Sequence, residues 1–391
     1  MTIYETIIDF VREQESEMFS LLRKMVLIQS GSYNKNGIDR VVKLIQSVFK
    51  NNTVFCQVIT QKTLGNHLIV RSFQEASTCP QVLLVGHMDT VFPENTAFNW
   101  YKEDNKHSYG PGVVDMKGGL VAGIFALKAL EHAGLLQKIP ITFFFNSDEE
   151  IGSTSSKKFI ENEAKKSAFA FVLESGGVAG ELVTGRKGRI SIKLDIKGKA
   201  GHAAYADKDK ASAIVELAHK TIAFESLNDQ KKGITVNVGL VKGGIGSNTV
   251  PENATVLIEF RFLSLEDKKY LEGKIKDIVK KQHTPGTSCK VEILTSRPPM
   301  NQSAANRKLY DAVKDVAKTL KLPLKEEFRS GASDANFIAL QNVPVLDGLG
   351  PIGGKDHSEN EYLIKESLVQ KTALVACSID TCWKLFGKNN R

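Results

Sequence analysis

The string Gly86-His87-Met88-Asp89-Thr90 follows the apolar run 82–85 and sets an imidazole and a carboxylate two residues apart at a strand end. Asp115 in a Gly-rich loop, the pair Glu149-Glu150, Glu174 and His357 come later. Glu149-Glu150 and Glu174 follow the apolar runs 141–145 and 169–173. An unpaired buried charge is costly, and binding a cation is one of the few ways to offset that cost. Two imidazoles and several carboxylates aimed at one place suit a pair of divalent metals, and the chemistry of such a pair is metal-assisted hydrolysis.

Each motif has its own chemistry. His87 binds a metal through one ring nitrogen, and Asp89 holds the other ring N–H and so fixes the tautomer. The segment 109–119, Tyr-Gly-Pro-Gly-Val-Val-Asp-Met-Lys-Gly-Gly, opens a helix. It lacks the Gly-x4-Gly-Lys-Ser/Thr pattern of a phosphate-binding loop. A carboxylate held in such a tight loop suits a ligand shared by two cations. Adjacent side chains in a loop point in different directions, so one glutamate of Glu149-Glu150 can bind metal and the other can act as general base. The same acidic pair also suits a helix start, where it complements the dipole. A single loop histidine such as His357 is by itself an ordinary exposed residue. The combination is more specific than any member.

Short, nearly all-apolar strands (67–70, 82–85, 141–145, 169–173) separated by helices predict an α/β layer with a sheet covered on both faces. Helices are predicted over 37–50 and 118–133, the second stopped by Gly134. The apolar spacing of 1–26 is also helical. Near Gly185 the pattern changes to strict alternation, with Ile190, Ile192, Leu194 and Ile196 on one face. A helix at 211–227, strands at 234–240 and 254–262, a Lys-rich helix at 268–281 and a strand around 291–293 complete a β-α-β-β-α-β order. That is the split pattern of a ferredoxin-like domain with one solvated sheet face. After Arg297-Pro298-Pro299 the α/β pattern resumes, with helices at 304–320 and 366–386 and a strand at 343–346. The expected organisation is a discontinuous metal-binding domain, 1–185 and 298–391, interrupted by an inserted domain, 186–297.

The whole chain narrows the function classes. Its 391 residues are 42% hydrophobic and 25% charged, the mix of a globular protein. No apolar run approaches the ~20 residues of a membrane span. The N-terminal segment lacks the features of a signal peptide, so a cytoplasmic location is expected. Cys56, Cys79, Cys289, Cys377 and Cys382 are scattered and odd in number. They predict neither a disulfide framework nor a Cys-ligated zinc, but buried or inert thiols. The net charge of +8 is spread out in Lys pairs without an Arg stripe or stacking aromatics. Nucleic acid is therefore not an expected partner.

The motifs taken together, GHMDTV, YGPGVVDMKGG, SDEEIGS, GKAGHAA and the late His loop, occur in one family order. The chain resembles the co-catalytic zinc metallopeptidase family. That family contains bacterial glutamate carboxypeptidase, succinyl-diaminopimelate desuccinylase, acetylornithine deacetylase, aminoacylase and peptidase T. The Gly331-Ala332-Ser333-Asp334-Ala335 loop and the late His segment look most like the glutamate carboxypeptidase branch. The resemblance implies a mixed-sheet α/β zinc-exopeptidase domain carrying an inserted ferredoxin-like α+β dimerisation or lid domain.

Residue by residue, it implies that His87 and Glu174 are terminal ligands of one metal and that Glu150 and His357 are those of the other. Asp115 bridges, Asp89 orients and Glu149 is the general base. A cis peptide follows Asp115. His202 resembles the histidine that reaches the neighbouring site of a homodimer and stabilises the oxyanion. Asn248 and Arg261 resemble the groups that bind a substrate carboxylate, and the Gly331 loop adds backbone N–H donors to that carboxylate. Two Zn²⁺ per subunit are implied, with Co²⁺ or Mn²⁺ compatible with the same N and O ligands.

The implied reaction is cleavage of an amide next to a free carboxylate, releasing a C-terminal residue such as glutamate from a peptide. An N-acyl amino acid deacylase with the same site is the alternative within enzymes. A binding protein of the same fold would lack ligands or base, and all of them are present in the sequence.

Overall fold

A computed structural model of the chain describes residues 2–74, 80–206 and 210–387. Cys79 lies outside the described residues. The chain divides into two compact units, one of 1–185, 302–328 and 333–391, the other of 186–301 and 329–332. Residues 298–301 and 329–332 thus fall with the second unit. Arg186 and Met300 pair there in an isolated antiparallel bridge.

The first unit is built on a mixed six-stranded sheet. Its order is Phe55–Ile59, His67–Arg71, Ile141–Asn146, Gln81–His87, Ser167–Val172, Val345–Leu346. Gln81–His87 runs parallel to both of its neighbours, and Val345–Leu346 runs parallel to Ser167–Val172. The first two strands pair antiparallel. Every residue of Gln81–His87 and of Ile141–Asn146 is buried, as expected of strands covered on both faces. The helix Gly118–His132 packs on this sheet at very short range because its glycines have no side chains. A Cβ on Gly123 would lie 2.5 Å from the Phe143 ring, and one on Gly119 would lie 1.9 Å from the Leu173 carbonyl oxygen. That close approach brings the start of the helix, and so Asp115, to the ends of the strands.

The second unit is a four-stranded antiparallel sheet in the order Thr235–Gly243, Asn253–Phe262, Gly188–Lys197, Ser288–Arg297. Ile190, Ile192, Leu194 and Ile196 pack with Leu217 and Phe224 of helix Ala213–Glu225 and with Leu271 and Ile275 of helix Leu265–Lys280. The alternating residues Arg189, Ser191, Lys193 and Asp195 are partly exposed on the other face. The order β-α-β-β-α-β and the one-sided core are those read from the alternation.

Several elements depart from expectation. The N-terminal helix is two helices, Ile3–Glu13 and Glu15–Val26, separated at Gln14. The final helix is Lys365–Cys382, followed by a wider turn at Trp383–Gly387. The helix Lys157–Ala164 and a small sheet of Lys102–Glu103, His107–Tyr109, Gly353–Gly354 and Tyr362–Ile364 were not anticipated. Cys377 and Cys382 are fully buried, and Cys56 is exposed with its thiol pKa raised by partial burial. No helix among the described residues is long and apolar enough to cross a membrane.

The glycine contacts give a paired prediction. Gly119→Ala forces a Cβ into the Leu173 carbonyl and should destabilise by about 1–3 kcal/mol, as overpacking does. Gly273→Ala, at an exposed helical position with nothing within 4 Å of the new Cβ, should stabilise by up to ~1 kcal/mol. Unfolding midpoints of the two variants in urea should move in opposite directions.

Candidate metal centre

Three parallel strands end side by side. In their register His87 stands opposite Asn146, and Val85 stands opposite Val172. The loops that follow carry Asp89, Glu149 with Glu150, and Glu174. His87 is buried, and its Nδ1 lies 2.9 Å from the backbone carbonyl of Asp89. A carbonyl only accepts, so in the neutral ring Nδ1 carries the proton and Nε2 keeps a lone pair for a ligand. The Asp89 carboxylate is farther from the ring, at 3.5 Å. It also accepts from the Ser32 hydroxyl at 2.7 Å and from the backbone N–H groups of Glu149 and Glu150 at 3.1 and 3.2 Å. Asp89 thus meets the histidine through its carbonyl and, at longer range, through its carboxylate. Its carboxylate holds the turn that bears both glutamates.

Asp115 lies where two imidazoles meet. Its Oδ1 is 3.1 Å from His87 Nε2 and its Oδ2 is 3.1 Å from His357 Nε2. Glu174 Oε1 is 3.7 Å from His87 Nε2, and Glu150 Oε2 is 3.3 Å from His357 Nε2. The peptide between Asp115 and Met116 is cis. Gly112 precedes it in a left-handed conformation at φ 71°, where a side chain would also crowd Thr90. His357 is likewise left-handed, at φ 59°, and its side chain is 53% exposed, against 1% for His87. One imidazole is thus deep and the other faces outward.

The electrostatics favour cations here. Burial works against a charge on His87, yet the Asp115 and Asp89 contacts and the charge of Glu174 raise its pKa well above the usual value. His357 is pushed up to about 11, chiefly by Asp115 and then by Glu150. Burial raises Glu150 and Glu174. Burial also acts against the Asp115 charge but is outweighed by the two imidazoles, and its pKa is lowered. Without a cation these carboxylates hold protons on the imidazoles. The donor atoms of His87, Asp115 and Glu174 lie within 4.8 Å of one another, as do those of Asp115, Asp356 and His357. An N and O donor set with one carboxylate between two imidazoles fits a pair of zinc, cobalt or manganese ions.

The other predicted residues belong to the second unit. His202 is exposed, and its Nδ1 accepts the Ala204 N–H at 3.2 Å. Asn248 is exposed, and its carbonyl accepts the Ala203 N–H. Arg261 binds Glu259 through Nε and Nη2, at 2.8 and 2.7 Å, and donates from Nη1 to the Ser330 carbonyl at 2.5 Å. Gly331 presents its carbonyl to Arg186 Nη1 at 2.9 Å. The carbonyls of Ser330 and Gly331 are thus the loop's contacts with the guanidinium groups, which only donate.

Sequence reasoning missed Asp356, Glu259 and Glu361. Glu361 is buried and accepts three backbone N–H groups of the Asp115 loop. The late acidic cluster after His357 was its only signal.

Residues 83–381 match Peptidase family M20/M25/M40. The chain is 27% identical over 375 residues to carboxypeptidase G2 from Pseudomonas sp. (strain RS-16), covering 94% of this chain and 89% of that one. It is 28% identical over 308 residues to a succinyl-diaminopimelate desuccinylase from Rickettsia akari (strain Hartford), covering 72% and 78%. Its fold is similar to the crystal structure of an M20 family metallo-carboxypeptidase from Sulfolobus solfataricus, with a TM-score of 0.75 at 16% identity over 93% of this chain and 99% of that one.

The protonated imidazoles give a prediction for metal-free protein. Zinc binding near pH 7 should release protons, since ligation needs neutral imidazole and ionised carboxylate. Calorimetry in buffers of different ionisation enthalpy measures the release. For the same reason affinity should fall as pH drops below neutrality and the rings hold their protons more firmly. In the metal-free state His357 acts in the opposite sense. Its folded pKa lies above the unfolded value, so its stabilising contribution is full below about 6.5 and is lost as pH rises through about 11.

Proposed function

The chain belongs to peptidase family M20/M25/M40 and is a hydrolytic enzyme, and on that premise we propose that it cleaves an amide bond next to a free carboxylate. The reading we favour is a carboxypeptidase releasing a C-terminal residue such as glutamate. The observation that carries it is Asp115, with one oxygen on each of two imidazoles. The match to carboxypeptidase G2 along nearly the whole chain supports the carboxypeptidase side. The desuccinylase match keeps the N-acyl amino acid deacylase as the alternative.

In this proposal His87 and Glu174 would hold one Zn²⁺, Glu150 and His357 would hold the other, and Asp115 would serve both. Co²⁺ or Mn²⁺ suits the same atoms. When bound, the metals polarise the scissile carbonyl and lower the pKa of water. Glu149 is the general base. Its backbone N–H donates to Asp89 Oδ1, and its charge acts on Glu174, which supports that role. It takes a proton from the attacking water and delivers it to the leaving nitrogen. His202 is the oxyanion donor. Its Nδ1 accepts from Ala204, so the neutral ring carries its proton on Nε2, which suits a donor. Arg261 and Asn248 take the substrate carboxylate, for which a guanidinium is the matching fork.

We assign the second unit a dimer interface as well. Ile222 and Ile245 on it are 70% and 91% exposed, and the edge strand Thr235–Gly243 leaves Val241 exposed. A cytoplasmic location fits the scattered free thiols.

A panel of peptides and N-acyl amino acids assayed with added zinc tests the proposal. Release of C-terminal glutamate is expected, with a loss of about 10²–10⁴-fold in Glu149→Ala. Arg261→Lys should raise KM about 10–100-fold with kcat little changed, since a single point charge replaces the fork. Turnover confined to acetyl or succinyl amides would move the chain to the deacylases. No turnover of any amide by metal-loaded protein would overturn the reading.

A further inference from the structure

The loop that carries Asp115 is closed around a buried carboxylate from a distant part of the chain. Glu361 Oε2 accepts the Gly112 N–H at 2.9 Å. Its Oε1 accepts the N–H groups of Val114 and Asp115, at 2.9 and 3.0 Å. Its residue is 1% exposed. Successive N–H groups turned inward form a concavity for an anion, and here a side chain fills it.

The position of that side chain follows from strand pairing. Tyr362 stands opposite Tyr109 and Leu363 opposite Ser108 in an antiparallel ladder. Residue 361 therefore meets the chain where the Gly110–Gly112 turn begins. The same short segment carries His357, four residues earlier, and closes with the Glu361 N–H on the Ser358 carbonyl at 3.1 Å. Behind the loop, Lys117 is buried, donates to the Ile28 carbonyl at 3.0 Å, and lies within the fields of both Glu361 and Asp89. Burial lowers the Lys117 pKa to about 7 against the opposing pull of the two carboxylates.

We propose that Glu361 is a positioning residue that sets Asp115 between His87 and His357, so that binding of the second metal depends on it. This rests on the reading of Asp115 as a shared ligand. A loop held only at its ends would let the two Asp115 oxygens swing away from one imidazole. Three N–H bonds to one carboxylate, the last from Asp115 itself, fix the backbone from which that side chain projects. Because Glu361 and His357 share a segment, any shift of the clamp also moves a terminal ligand of the outer metal.

Co²⁺ titration of the full-length metal-free protein, followed by visible absorption and equilibrium dialysis, tests this. Wild type should take up two equivalents. Glu361→Gln keeps the size but turns an amide N–H toward backbone N–H groups. It should bind one equivalent normally and the second about 10–100-fold more weakly, with an altered Co²⁺ spectrum. A loss of fold stability alone would move neither readout in that way. Glu361→Asp keeps the carboxylate and withdraws it by one methylene, and it should recover part of the second-site affinity. If the Gln variant does not fold, the Asp variant carries the test, with weakened second-site binding expected relative to wild type. Two equivalents bound with wild-type affinity and spectrum in the folded variants would overturn the role of Glu361. Failure of wild type itself to bind two equivalents would instead overturn the shared-ligand reading.

Discussion

Parallel pairing of Gln81–His87 with Ile141–Asn146 on one side and Ser167–Val172 on the other brings three strand ends to one edge of a sheet. Side chains alternate along a strand, so a slip of one residue in either pairing would turn the whole set to the opposite face. Buried apolar residues on both faces hold the register. The ligands can sit on loops because the loops begin from fixed points. Gly119 and Gly123 extend the same constraint to the helix behind Asp115, since their missing side chains let it lie against the strands.

The centre concentrates negative charge where water is scarce, and the backbone does much of the compensating. Asp89 and Glu361 are both almost fully buried, and between them they accept five backbone N–H bonds, two from the Glu149-Glu150 turn and three from the Asp115 loop. Hydrogen bonds to a charged acceptor are about twice as strong as neutral ones. Carboxylates that face the imidazoles are left with few such partners. The result is an inner ring of candidate ligands and an outer pair of carboxylates held by backbone N–H groups.

The parts of this arrangement legible in the sequence were those with a period or a strand end. The alternation of Ile190 to Ile196 gave the second sheet, and the apolar runs before His87, Glu149 and Glu174 marked groups that the structure brings together. Glu361 left little trace because its partners are main-chain N–H groups, which have no residue identity to read. Strands of two or three residues, such as Gly353–Gly354 and Tyr362–Ile364, are too short to show any period. The break at Gln14 carries neither Pro nor Gly. The inward carbonyls of Ser330 and Gly331 follow from guanidinium neighbours that only folding supplies.

The second unit interrupts the first in sequence, and this has a consequence for biosynthesis. Although its segment 329–332 comes later, the four-stranded sheet of that unit and its two helices are complete by Arg297. The larger unit at that point still lacks the strand Val345–Leu346, the helix Lys365–Cys382 and the loop bearing His357. Domains fold largely as units as the chain emerges. The sheet and helices of the inserted unit can therefore form on the ribosome while its host remains open, and the imidazole of His357 follows only after them. A nascent chain at that stage presents an unfinished site, with one imidazole of the candidate pair still to come.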